Sequence, residues 1–248
     1  MGVSYNPKII TDGLVFCVDA ANKRSYPGSG ATWTELKNSS IGTLTNGPIY
    51  DNDNAGSIVF DGTDDYISLT NDISSVTLDN GFTISFWFKP RIEARGRYIL
   101  SVENAASESV IRVYQAPEAA GYISANSYGI NSYFALSEGG PGTSWPVGAW
   151  YHCTYVHRGT TSSSDLDWYF NGVETLKMGW AYRFRYTLGT VSHKSLDGGI
   201  YLGWGAFSPG GSGTRYYDGS LSSLSLYDRP LKDEEIVQNY NATKGRYE

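Results

Sequence analysis

The chain has 248 residues, 19 Lys plus Arg against 25 Asp plus Glu, and a formal net charge of −6 at pH 7. That balance supplies no long-range field toward nucleic acid or anionic lipid, so neither nucleic acid nor membrane is expected as a partner. No run of about 18 consecutive apolar residues occurs, and the stretch from Met1 to Gly13 lacks the basic-then-apolar pattern of a secretory leader, so synthesis without a signal peptide is expected.

The 29 Gly, 20 Tyr and 7 Trp, with one helix-like segment, describe many short strands joined by turns. Single β-sandwiches reach this length, so one domain over 1–248 is expected, its core running from about residue 10 to about residue 245. Cys17 and Cys153 both lie in strand-like runs, and two cysteines make no disulfide framework. Buried free thiols are the expectation, with a Cys17–Cys153 bridge as the alternative.

Residues 13–19 alternate loosely and read as a first strand; the turn-rich stretch from Asn22 to Gly30 follows, broken at Pro27-Gly28. Trp33 and Leu36 either pin this loop to the sandwich edge or line a surface site. Residues 41–50 supply another short strand or extended arm. Ser57 to Phe60 is β-branched and aromatic and stops at Asp61-Gly62, which suits a hairpin turn, with Tyr66 to Leu69 as the returning strand. From Phe82 to Phe88 the alternation is strict. Phe82, Ile84, Phe86 and Phe88 share one face, and four such groups require a second sheet about 10 Å away. Lys89-Pro90 ends that strand.

Arg97 to Val102, Val110 to Tyr114, Gly121 to Ala125 and Ser132 to Ser137 read as a meander, closed by Gly139-Gly140-Pro141-Gly142. Trp150 opens a strand in which Tyr151, Cys153 and Tyr155 alternate with His152, Thr154 and Val156. Leu166 to Phe170 runs into Asn171-Gly172, a strong hairpin signal. Gly179 to Leu188 then puts Trp180, Tyr182, Phe184 and Tyr186 on one face and Arg183 and Arg185 on the other. The aromatic face is expected to cover the sandwich, with Trp180 and Tyr182 meeting another chain as the alternative, and the arginines to dock the protein onto a larger particle or a second copy, with solvated arginines as the alternative. Leu202-Gly203-Trp204 and Leu224 to Tyr227 read as late strands. Asp233 to Asn241 is the helix, with an acidic first turn, Asp233 as its cap, and Ile236, Val237 and Tyr240 as its apolar stripe.

Seven segments in order carry a family resemblance: GLVFCVDAAN at 13–22, YPGSGATWTEL at 26–36, SIVFDGTDDYISL at 57–69, FTISFWFKP at 82–90, WYHCTYVHRG at 150–159, WYFNGVE at 168–174 and DGSLSSLSLYDRPLKDEEIVQNYNATKG at 218–245. Together they resemble the concanavalin A-like lectin/glucanase superfamily, in its laminin G-like and pentraxin-like branch. The YPGSGATWTEL element is similar to free-standing domains of bacteriophage structural proteins, although Lys37-Asn38-Ser39-Ser40 stands where a Gly/Asn-rich turn is usual. The resemblance implies an all-β, two-sheet antiparallel jelly-roll sandwich with one short C-terminal helix. It also implies a non-enzymatic, virion-associated decoration protein with glycans, other virion proteins or copies of itself as partners. A free carbohydrate-binding protein and a glycoside-active enzyme are the alternatives.

Glucanase-type enzymes need two carboxyls about 5 to 5.5 Å apart for a retaining mechanism. The acidic strand motifs of that branch are missing here, and Asp165 with Asp167 reads as a solvated strand end. His152, His157 and His193 do not sit at zinc-ligand spacing. Asp61, Asp64 and Asp65 form an acidic turn that Asp218 approaches if the last strand pairs nearby. Oxygen-rich turns suit calcium, and Asp side chains capping local N–H groups are the competing reading. For sugar stacking the candidates are Trp33, Trp145 and Trp204.

Overall fold

The computed structural model describes residues 7–70, 73, 74, 76, 78, 80–91, 97–104, 109–115, 122–127, 130–136, 147–159, 166–174, 181–187, 196–205 and 216–248; for 109, 122–127, 130–136 and 181–187 the description is of the backbone. The first half of the chain forms β1 (Leu14–Asp19), β2 (Thr32–Thr34), β3 (Ile41–Thr45), β4 (Ile49–Asp51), β5 (Ser57–Asp61), β6 (Tyr66–Leu69), β7 (Phe82–Pro90), β8 (Arg97–Glu103) and β9 (Ser109–Gln115). The second half forms β10 (Tyr122–Ser127), β11 (Ile130–Leu136), β12 (Tyr151–His157), β13 (Leu166–Phe170), β14 (Val173–Glu174), β15 (Ala181–Thr187), β16 (Ile200–Leu202), β17 (Asp218–Tyr227) and the helix α1 (Asp233–Thr243).

Two antiparallel sheets result. The eight-stranded sheet runs β14-β13-β12-β7-β17-β5-β4, with β1 also on β17; the nine-stranded sheet runs β15-β11-β10-β9-β8-β16-β6-β3-β2. This is the expected two-sheet sandwich with one C-terminal helix. Phe82, Ile84, Phe86 and Phe88 are each at most 1% exposed and join Ile58, Phe60, Ile67, Ile99 and Leu202 in one core. The expected meander is β8 to β11, each strand pairing with the next. Asn171 and Gly172, at φ +47 and +78, close the β13–β14 hairpin.

One turn behaves differently from the expectation. Asp61-Gly62 does not make a hairpin, because β5 pairs with β4 and β17 while β6 pairs with β3 and β16. The turn carries the chain from one sheet to the other. Gly62 does take positive φ, at +76, but a dihedral angle sets the bend and leaves the pairing partner to long-range packing.

The outer face of the eight-stranded sheet is closed by the C-terminal segment. Leu14, Cys17, Val156, Tyr169 and Tyr227 pack with Leu231 and Ile236 in a second cluster, which explains why every residue of β12 is buried. Asp233 does not cap the helix: its carboxylate accepts the Tyr169 hydroxyl at 2.7 Å. Lys232 is the N-cap, and its backbone N–H is taken by Glu235 at 2.8 Å. Val237 is 41% exposed, and the helix buries Asn239 beside Ile236 instead. Asn239 accepts the Ile10 N–H at 2.8 Å and donates to the Tyr227 hydroxyl at 3.0 Å, tying the chain's two ends to the sheet. Cys17 and Cys153 are both buried and free, and burial lifts the Cys17 thiol to about 12.

Candidate functional site

On the nine-stranded sheet, strand alternation turns one residue in two away from the core. In β6, Ile67 and Leu69 are buried while Tyr66 and Ser68 are half-buried; in β16, Ile200 and Leu202 are buried while Tyr201 is half-buried. Register aligns the outward positions across the sheet. Thr32 faces Thr43, Thr43 faces Ser68, Ser68 faces Tyr201, and Tyr201 faces Ser101. A row of hydroxyls thus crosses β2, β3 and β6 to the phenol on β16, beyond which Ser101 on β8 is buried.

Three more aromatic rings gather at that phenol. Trp204 meets Tyr201 edge-on at 4.6 Å between ring centres, and Tyr66 lies 6.1 Å from Trp204 and 6.5 Å from Tyr216. Two glycines make this possible. Gly203, at φ +78, lies where a Cβ would come within 2.5 Å of the Phe60 ring, and it turns the chain so that Trp204 folds back over the sheet. A Cβ on Gly199 would come within 2.5 Å of the Tyr201 ring, so only glycine lets that ring lie along its own strand. All four aromatics are half-buried, with one part packed and another open to solvent. Such a cluster, bordered by hydroxyls, suits stacking against the apolar face of a sugar ring.

The acidic turn lies at the Tyr66 end of this cluster. Oxygen atoms of Asp61, Asp64 and Asp65 all lie within 4.8 Å of one another. Part of that oxygen is committed locally: Asp61 Oδ1 accepts the Thr63 N–H at 2.7 Å, and Asp65 Oδ2 accepts the Asp61 N–H at 2.9 Å. The Thr63 N–H holds the Asp61 carboxyl below its ordinary value. Burial, and then the charges of Asp61 and Asp64, push Asp65 upward. Asp218 does approach, as β17 pairs Asp218 with Asp61. Its carboxylate is nevertheless taken by Arg91 at 2.6 Å. Arg91 also donates to the Asp61 carbonyl at 3.2 Å, and Arg97 to the Gly62 and Tyr216 carbonyls. Three carboxylates therefore cluster at this turn, while Asp218 and the turn carbonyls are held by arginines.

The other expected residues fall elsewhere. Trp33 is wholly buried in the core and offers no stacking surface, because β2 turns it inward against Gly42 and the strands beyond. Trp145 and Trp180 lie outside the described residues, as do Asp165 and His193. Of the tryptophan candidates among the described residues, Trp204 reaches the cluster and Trp33 does not. Arg183, Arg185 and Tyr182 lie in β15, at the end of the nine-stranded sheet. Arg185 takes the register position of Ser132, Ala125 and the core residue Val113, so that the arginines share the core-side rows. Phe184 and Tyr186 take the outer-side rows, in line with Tyr114 and Arg112. This reverses the expected assignment of the two faces, since the register is set by β11 and not by the strand's own pattern.

Ser85 and His152 stand 2.9 Å apart on the closed face of the other sheet, with Thr154 at 3.0 Å from the serine oxygen. Burial lowers His152 to about 3, so it is too weak a base to take the serine proton at neutral pH. Asp167 is paired with Arg158 at 2.8 Å. Sequence reading missed Tyr66, Tyr201 and Tyr216, whose signal was their outward parity in short strands and strand ends.

No curated protein matches the chain in sequence. Among solved structures it is similar to the sialidase of Trypanosoma rangeli, with a TM-score of 0.60 and 13% identity over 96% of this chain and 34% of that one. It is also similar to the receptor-binding domain of the botulinum neurotoxin C/D mosaic serotype, with a TM-score of 0.57 and 11% identity over 93% and 51%. A third is botulinum neurotoxin type C, whose cell entry depends on interaction with two ganglioside molecules (TM-score 0.56, 12% identity, 93% and 51%). The chain spans between about a third and a half of these proteins' lengths, and at such identities the likeness is one of fold. The model of the concanavalin A-like lectin/glucanases superfamily, in its laminin G-like form, matches residues 61–237. That stretch includes the crossover turn, both sheets' central strands and the start of the helix, and the chain belongs to this family.

Proposed function

We propose that the protein binds glycans without acting on them, through the outer face of the nine-stranded sheet. The observation that carries this reading is the half-exposed cluster of Tyr66, Tyr201, Trp204 and Tyr216 at the end of the Thr43–Ser68 hydroxyl row. Aromatic faces supply apolar area to a sugar ring, while hydroxyls replace the water that its own hydroxyls lose. Similar folds in proteins that engage sialic acid or gangliosides support it. The sequence likeness of the YPGSGATWTEL segment supports display on a virus particle, as a decoration protein on capsid, tail or fibre. Docking there, or onto a second copy, would use β15, the end strand of the nine-stranded sheet. Calcium at the acidic turn would stiffen the border of the sugar platform.

The test is a glycan array probed with the wild type and with a Tyr201→Ala, Trp204→Ala double variant. Removing one stacked aromatic platform is expected to weaken binding by about tenfold or more. Binding that survives the double substitution unchanged removes the platform. Mass spectrometry of purified particles separates a decoration protein from a free lectin.

A further inference from the structure

The same sheet face holds polar atoms that the fold leaves unsatisfied. Glu103 is 5% exposed and its Oε1 has no hydrogen-bond partner; the Nε of half-buried Arg112 has none either. A buried polar atom without a partner forfeits its hydration and regains nothing, so folds seldom keep one idly.

Their placement is specific. Arg112 faces Ser101 across β9 and β8, and Ser101 faces Tyr201 across β8 and β16. Glu103 stands two residues beyond Ser101 on β8, with Val102 buried in the core between them. Its backbone is clamped on both sides, the N–H donating to Gly199 and the carbonyl accepting from Gly198, each at 2.9 Å. The Tyr201 ring lies over Gly199, and its hydroxyl is acted on by the Glu103 charge on one side and by Tyr66 on the other. Glu103 is therefore a fixed acceptor at the inner margin of the aromatic cluster.

We infer that Glu103 anchors a neutral sugar stacked at the Tyr201–Trp204 corner, its buried and unpaired oxygen accepting a sugar hydroxyl while Arg112 donates to another. This rests on the platform reading and adds the ligand's charge class. Arg112 stands two strand spacings from Tyr201, roughly 10 Å, so the pair spans more than one ring of an oligosaccharide. Neutrality follows from the charges around the corner. Glu103, Asp61, Asp64 and Asp65 are carboxylates, Arg91 is committed to Asp218 and Arg97 to main-chain carbonyls, and Arg112, the cation left to the ligand, stands two strands away, so the corner itself is acidic. A sugar carboxylate brought beside Glu103 would meet a like charge in a site from which water is displaced, where two carboxylates cannot both stay ionised. A hydroxyl donating to a carboxylate makes a charge-assisted bond instead. The acidic residue thus selects against sialylated ligands as well as for hydroxyls.

The experiment uses an array that carries neutral oligosaccharides and their sialylated counterparts. Wild type, Glu103→Gln, Arg112→Gln and the Tyr201/Trp204 double variant are applied, with melting temperatures measured in parallel. Expected are binding by wild type to neutral chains over sialylated ones, and a loss of about tenfold or more for Glu103→Gln, one charge-assisted bond's worth, at an unlowered melting temperature. Wild-type preference for sialylated chains, or wild-type binding by Glu103→Gln, overturns the anchor and leaves an ordered water as that oxygen's partner. If the double variant loses binding while Glu103→Gln keeps it, the anchor fails and the platform stands. If the double variant binds normally, the platform itself fails. Should Glu103→Gln not fold, Arg112→Gln and the wild-type ratio of neutral to sialylated binding decide.

Discussion

His152 couples the stability of this protein to mild acid. The imidazole is buried between the eight-stranded sheet and the C-terminal segment, 2.9 Å from the Ser85 hydroxyl and 5.1 Å from the centre of the Trp87 ring. Burial lowers it from 6.5 to about 3. The unfolded chain therefore binds a proton that the folded chain refuses over the interval between those values. Stability from this group is fully present above 6.5 and declines as pH falls toward 3. From pH 7 to pH 5 the loss amounts to about 2 kcal/mol, or roughly 4 to 8 °C in melting temperature for a chain of this size.

Glu235 and Glu103 do not imitate this effect. Arg229 holds Glu235 down to about 2, and the stability this pair contributes is lost only as pH falls below 4.5. Burial raises Glu103, so that its protonation favours the folded state as pH drops. Urea denaturation followed by tryptophan fluorescence at both pH values measures the difference, since Trp87 is stacked on Tyr247 at 4.0 Å and reports the segment's release. His152→Gln keeps a hydrogen-bonding group and removes the titration, and should shrink the pH 7 to pH 5 loss by the same amount. Equal losses in the wild type and the variant would refute burial of a neutral imidazole.

Phe86→Ala should destabilise by about 3 to 5 kcal/mol, because Phe86 is 1% exposed and packs against Phe88 at 5.4 Å; an unchanged urea midpoint would remove it from the core. Millimolar calcium over chelator should raise the melting temperature through the three clustered carboxylates, and Asp64→Asn should abolish the shift. A midpoint indifferent to calcium would leave only the capping role of these side chains.

Where side-chain pattern alone decides structure, the sequence was legible. Phe82 to Phe88 alternates because one face is core, and Asn171-Gly172 turns because both residues tolerate positive φ. Where distant partners decide, it was not. Asp61-Gly62 has the same local chemistry as a hairpin, yet its two strands enter different sheets. The β15 faces were assigned from their own alternation, but the register with β11 puts the arginines in the core-side rows. The platform was illegible for a related reason. Tyr66, Tyr201 and Tyr216 come from separate strands and a strand end, and nothing in any single segment distinguishes them from the chain's other tyrosines.

Burial of one sheet face favours the other for the proposed binding. On the eight-stranded sheet, Trp87 stacks on Tyr240 and Tyr247 and donates to Thr243 at 2.8 Å, while Arg246 grips Asp19 through two bonds at 2.9 and 3.0 Å. A ligand there must first displace the C-terminal segment, losing its apolar contact and leaving the Asp19 and Arg246 charges unpaired. On the nine-stranded sheet, Thr43, Ser68, Tyr66, Tyr201 and Trp204 retain open surface without any such displacement. Aromatic content alone is silent on this choice, since Trp87 and Trp204 differ in what lies over them and not in kind. The helix that completes the fold thus leaves the proposed glycan binding to the face that carries the hydroxyl row, the aromatic corner and Glu103.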